Sequence, residues 1–155
     1  MISFKLTEEQ EVVREAMHDF AKSAVRPIAR ECDEASKIPD GILVQAAELG
    51  LVSTQIPEAF GGGGELRSPI TNAIVAEELA WGDATLAVAM LAPAAFAFAV
   101  ADQGSDAQKR ELLPGFCSAT PTSAAIAFVE PTPTFDALLP RMKAEPRDRA
   151  SCSRA

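Results

Sequence analysis

Residues 84–101 read ATLAVAMLAPAAFAFAVA, eighteen positions without a charge. That length is close to what a bilayer-spanning helix needs. Nine of the eighteen are alanine, which contributes little transfer energy per residue. The segment lies between Asp83 and Asp102, with no cationic flank. A helix buried among other helices is therefore expected rather than a membrane span, because small side chains let neighbours approach closely. Pro93 should bend this segment or divide it in two.

The flanking sequence is amphipathic and helical on both sides. Upstream, Thr7-Glu8-Glu9-Gln10 has the spacing of a capping box. Val13, Met17, Phe20, Ala24 and Ile28 then form one apolar stripe at helical steps. Acidic residues crowd the first half of this stretch, and Lys22, Arg26 and Arg30 the second, an order that complements the helix dipole. Pro27 predicts a kink or break near Arg26. A second helix is predicted from Asp40, as its cap, to Leu49, with Ile42, Leu43, Ala46 and Ala47 inside and Gly50 closing it. Residues 51–57 should be extended. Ser68-Pro69 opens another helix, in which Ile70, Ala73, Ile74 and Glu77 share a face, and Gly82-Asp83 interrupts it. Downstream of the apolar segment, Ser105-Asp106-Ala107-Gln108 is a second capping box, and Pro114 ends its helix.

Over residues 122–129 the pattern changes to a short apolar run before Glu130-Pro131, read as one β-strand. The expected architecture is mainly α: an orthogonal bundle of five to six helices over residues 1–120, the start of a β region over 121–136, and an irregular basic tail over 137–155. Residues 1–136 carry nine basic and twenty acidic side chains, residues 137–155 five basic and two acidic. The reversal, with the aperiodic arginines 147, 149 and 154, leads to the expectation of an early stop or a frameshifted end.

The net charge of −8 argues against nucleic acid as a partner. The opening residues contain no apolar signal core, so a cytoplasmic location is expected. Cys32, Cys117 and Cys152 lack metal-ligand spacing, and neither a metal site nor a catalytic residue emerges. Gly61 to Gly64 superficially suggest a phosphate cradle. Glu65 follows instead of lysine and Ser/Thr, so a connecting loop is the better reading. His18, the single histidine, stands off the apolar stripe and is expected to be solvated. Adjacent Glu77 and Glu78 point in different directions, which suits no paired acid and base.

Five stretches in order resemble the acyl-CoA dehydrogenase family: Leu6-Thr7-Glu8-Glu9-Gln10, Ile56-Pro57-Glu58-Ala59-Phe60-Gly61-Gly62, Glu77-Glu78-Leu79-Ala80, the run from Gly104-Ser105 through Gln108-Lys109 to Leu113-Pro114, and Ala127-Phe128-Val129-Glu130-Pro131. The resemblance implies a helical N-terminal domain, with a β middle domain and a C-terminal bundle in the family as a whole. It further implies FAD as cofactor, an acyl-CoA thioester as substrate, oxidation to the α,β-unsaturated product, and an oligomer or partner-subunit assembly. The family's glutamate base lies in the C-terminal bundle, so the chain is expected to be inactive alone. A degenerate, non-catalytic partner subunit is the alternative. By the same resemblance, the backbone of Ala127, Phe128 and Val129 would hold the flavin edge, and Phe135 would occupy a flavin- or substrate-contacting position. The family usually has threonine at the Val129 position and serine at that of Phe135. Losing two such contacts could weaken FAD binding by about 1–3 kcal/mol each.

Overall fold

The computed structural model describes residues 5–127, 129–131, 134–136, 138, 139, 141 and 142. It divides into two compact units, Met1–Ala125 and Ile126–Ala155. Among the described residues, six α-helices lie in the first unit: α1 (Glu8–Phe20), α2 (Ala29–Ala35), α3 (Asp40–Glu48), α4 (Pro69–Gly82), α5 (Ala84–Gln103) and α6 (Asp106–Leu112). The mainly helical class is thus borne out.

Local chemistry explains most of the helix starts. Thr7 Oγ1 accepts from the Gln10 amide at 3.2 Å, and Gln10 Oε1 accepts from the Thr7 amide at 3.0 Å, closing the capping box of α1. Ser105 and Gln108 do the same for α6. Ser68 Oγ accepts from the Thr71 amide ahead of α4, with Pro69 at the first position. Asp83 separates α4 from α5, and its Oδ1 accepts from the Leu86 amide at 2.8 Å. The expectation for Asp40 was wrong by one position. Pro39 is the N-cap, and Asp40 stands in the first turn, where its charge meets the helix dipole without a cap bond.

The stripe of α1 packs as its spacing requires. Met17 is buried, with Val13, Phe20, Ala24 and Ile28 packed against the same core. The break expected near Pro27 is a π-helical turn, Ala21–Val25, followed by a 3-10 turn, Arg26–Ile28. The wider turn accommodates the donor that proline lacks. It also brings Ala21 and Val25 to complete burial. Gly82 at the end of α4 permits this, because a Cβ there would stand 3.0 Å from Val25 Cγ1 and 3.2 Å from Ala21 Cβ.

The first core joins these residues to Cys32, Ile42, Ala46, Leu79, Leu86, Ala87 and Met90. Each fully buried leucine contributes about 1.5–3 kcal/mol of transfer free energy. Of the α4 face containing Ile70, Ala73, Ile74 and Glu77, only Ile74 is buried. A second, smaller core joins Ile56, Ala97 and Leu113. Helix α5 belongs to both, through Met90 and Ala97. This double anchoring explains why Pro93 does not divide it: neither half can swing without opening a core. Among the described residues, α5 is the one helix long and apolar enough, by length and composition, to cross a membrane.

Two further expectations are corrected. Residues 51–57 are not simply extended, since Ser53–Gln55 form a 3-10 turn. The described part of residues 122–129 forms no strand. No second strand is present among the described residues to complete a ladder, and Thr122 Oγ1 instead donates to the Gly115 carbonyl at 2.8 Å. Phe128 and the basic tail from residue 143 onward lie outside the described residues, as does Cys152.

Candidate functional site

An apolar cleft of about 480 Å³ in the first unit is built from several elements. Val12, Val13 and Met17 of α1 form one wall, and Leu91, Ala95 and Phe98 of α5 another. Val75, Asn72 and Thr71 come from α4, and Leu51, Thr54 and Gln55 from the turn after α3. Gln55 Nε2 donates to Asn72 Oδ1 at 2.8 Å, and Asn72 Nδ2 donates back to Gln55 Oε1 at 3.2 Å. This reciprocal amide pair ties the turn to α4 at the polar edge of an otherwise apolar surface. Val12 remains 67% exposed beside it, as does part of Leu49. Its size and lining suit an apolar group rather than a charged one.

The glycine-rich loop behaves as a strap. Gly61 and Gly64 adopt positive φ (90° and 69°), which glycine accepts without a Cβ penalty. The amides of Gly62, Gly63, Gly64 and Glu65 donate to the carbonyls of Pro57, Ser53, Ile56 and Thr54. Amides so committed cannot cradle phosphate, in agreement with the connecting-loop reading. Arg67 then clips the strap to α5. Its guanidinium makes two hydrogen bonds to the Asp102 carboxylate, one of them at 2.7 Å, and lies 5.1 Å from the Phe98 ring centre. The clip holds the Asp102 carboxyl below its ordinary range, chiefly through the Arg67 hydrogen bonds.

The His18 side chain is 41% exposed, as its position suggested, and it also has partners on α4. Its Nδ1 lies 2.8 Å from Glu78 Oε2, and its ring packs 4.5 Å from Trp81. Glu78 therefore has a partner sixty positions away in sequence. The side chains of Glu77 and Glu78 do diverge: Glu77 is exposed and Glu78 is partly buried. Among the described residues, no group of three or more His, Cys, Asp or Glu side chains is placed to hold a metal ion. Cys32 is buried, and Cys117 is half-buried with its thiol pushed up by burial.

In the second unit, Ala127 and Val129 are exposed, Val129 at 71%, and Phe135 is half-buried. The residue that organises this stretch is one the sequence reading did not single out. Glu130 is buried, and its Oε1 accepts from the amides of Arg141 at 2.8 Å and Met142 at 2.6 Å. Asp136 adds a local turn, with Oδ1 accepting from the Leu138 amide. An acidic residue directly after an apolar run, followed by proline, was the available signal.

The family model for the acyl-CoA dehydrogenase N-terminal domain matches residues 7–120. A probable medium-chain specific acyl-CoA dehydrogenase 2, mitochondrial, of Caenorhabditis briggsae is 32% identical over 130 residues, which is 84% of this chain and 31% of that protein. Butyryl-CoA dehydrogenase of Megasphaera elsdenii superposes with a TM-score of 0.73 at 26% identity, covering 88% of this chain and 36% of its own. A structure described as the electron transferring flavoprotein of Acidaminococcus fermentans gives the same TM-score at 25% identity, covering 88% of this chain and 35% of its own. The chain thus spans about a third of the length of the relatives it matches. With its capped helices, its two cores and the match over residues 7–120, the chain belongs to the acyl-CoA dehydrogenase family, whose N-terminal helical domain it contains.

Proposed function

We propose that this chain supplies the helical wall of a flavin-dependent acyl-CoA dehydrogenase and does not turn over alone. The reading is carried by the superposition of 88% of the chain on butyryl-CoA dehydrogenase. The substrate class would be an acyl-CoA thioester, and FAD would supply the redox chemistry by accepting hydride from the acyl chain.

Residues 126–136 fit such a cofactor poorly by themselves. Val129 and Phe135 stand where the resemblance leads one to expect hydroxyl groups, and neither side chain can donate a hydrogen bond. The Glu130 carboxylate is already engaged by two backbone amides. Backbone contacts from Ala127, Phe128 and Val129 would remain. In this reading, the proton-abstracting base and the other flavin contacts belong to the part of the relatives' length that this chain does not cover.

Two experiments test this. The purified chain, mixed with FAD and a panel of acyl-CoAs, should leave the visible flavin band unbleached, and bleaching would refute the claim of inactivity. Residues 7–120 grafted in place of the equivalent domain of Megasphaera butyryl-CoA dehydrogenase should retain flavin-linked oxidation. A folded, FAD-loaded chimera without activity would refute the wall assignment.

A second reading is a non-catalytic partner subunit. It is favoured by the missing hydroxyls at residues 129 and 135 and by the structural neighbour described as an electron transferring flavoprotein. Co-expression with a full-length acyl-CoA dehydrogenase should then give a stoichiometric complex. Separate elution of the two chains would count against it.

A further inference from the structure

We propose that the cleft between α1, α4 and α5 binds an uncharged apolar chain that carries a carbonyl head, such as a fatty amide, ester or ketone. Protein interiors are close-packed, yet side chains leave about 480 Å³ unfilled between these elements. That volume lies within the usual range of small-molecule pockets, about 300–1,000 Å³. The α5 wall runs from Leu91 to Phe98, a seven-residue step and therefore about 10 Å of helix. Val13 and Met17 of α1 and Val75 of α4 line the cleft with apolar side chains. A tail laid along these walls loses its contact with water, which favours binding in proportion to the apolar area covered.

The head chemistry follows from the polar edge. Gln55 and Asn72 both line the cleft, and their reciprocal hydrogen bonds at 2.8 and 3.2 Å use one hydrogen of each amide. A side-chain amide has two, so each keeps a second donor for an acceptor. The pair also fixes both side chains beforehand, so little rotamer freedom is lost on binding. Among the described residues lining the cleft, Glu65 is the single charged one. It repels a carboxylate or phosphate head, and no lining cation offsets it. Arg67, whose guanidinium lies 5.1 Å from the Phe98 ring centre, is engaged by Asp102. A cationic head would suit Glu65 but leave the amide hydrogens without an acceptor. The occupant is therefore neutral and accepts hydrogen bonds through its head. All of these residues belong to the first unit, and none of residues 126–136 takes part, so the site does not rest on the flavin reading.

The test uses the full chain and needs no FAD. Octanamide, octanoate and octylammonium are titrated at pH 8 by calorimetry, with benzene as a headless probe. Octanamide should bind at one site, and the two charged ligands at least tenfold more weakly. Ala95 is exposed on α5 and lines the cleft, so Ala95→Trp should fill the site, abolish octanamide binding and leave the thermal midpoint nearly unchanged. Asn72→Ala should weaken octanamide severalfold and leave benzene binding as it was, which separates the head contact from damage to the fold. The proposal is overturned if octanamide does not bind, if the three octyl ligands bind alike, or if octanamide binding survives Ala95→Trp. Equal weakening of octanamide and benzene by Asn72→Ala would overturn it too, as would sedimentation showing that a second copy of the chain covers the cleft.

Discussion

Gly82 of α4 faces Val25 so closely that an added Cβ would sit 3.0 Å from Val25 Cγ1. Val25 is completely buried, so it has little room to retreat. The Gly82→Ala variant should lose about 1–3 kcal/mol of stability through overpacking. A urea midpoint equal to or above that of the wild type would show that the α1–α4 contact can yield.

Gly62 is under tighter constraint, because a Cβ there would meet the Ile56 carbonyl oxygen at 2.1 Å. Backbone cannot swing aside as a side-chain tip can. Gly62→Ala should therefore displace the strap and cost about 3 kcal/mol. An alanine variant with unchanged thermal stability would contradict this packing of the strap on the 3-10 turn.

The Arg67–Asp102 clip makes a prediction about pH. The Asp102 carboxyl is lowered in the folded chain, so the clip's contribution is fully present above the unfolded carboxyl range. It is lost as pH falls through the depressed folded value. The Asp102 side chain is 46% exposed, so solvent screens the pair and limits its worth to about 0.2–1 kcal/mol. Asp102→Asn should lower the midpoint slightly at neutral pH, and the gap to wild type should close under strong acid and in high salt. A gap that survives both would assign the effect to packing against Phe98 instead.

The two capping boxes should behave alike because their chemistry is local. Thr7→Ala and Ser105→Ala each remove the acceptor of a backbone amide and should each cost about 0.5–2 kcal/mol. Replacement by aspartate should restore most of the loss, and failure of that rescue would implicate something other than the cap.

Cys117 is half-buried, and its thiol is pushed up by desolvation, so less of it is thiolate at neutral pH. Peptide-resolved alkylation should show it reacting severalfold more slowly than an unstructured cysteine, with the rate climbing as pH rises. Labelling as fast as that of a free thiol would indicate that the segment around Leu113 opens readily.

Much of the fold was legible wherever the deciding interaction spans four residues or fewer. Thr7 with Gln10, Ser105 with Gln108 and the stripe from Val13 to Ile28 are of this kind. The family was legible as well, through five short stretches in order. Apart from the cap of α3, misplaced by one residue at Asp40, the misread positions involve distant partners or a missing one. Residues 53–55 form a 3-10 turn rather than an extended segment, and the carbonyls of Ser53, Thr54 and Ile56 accept from the strap amides of residues 63–65. The expected strand lacks a second strand among the described residues.

The candidate site was less legible for the same reason. The cleft draws its walls from α1, α4, α5 and the turn after α3. The exposure of His18 was legible from its charged neighbours in sequence, but its partners on α4 were not. Glu130 closes on amides eleven and twelve residues later.

By itself, then, the sequence determined the helical class, where most helices start and the family. Those follow from backbone caps, periodicity and short motifs, all of which act along the chain. Only the tertiary structure decided that Gly82 seats Val25, that Arg67 clips α5, and that His18 meets Glu78 and Trp81. These are contacts across the chain, set by how side-chain volumes and charges meet once the helices pack, and no local pattern encodes them.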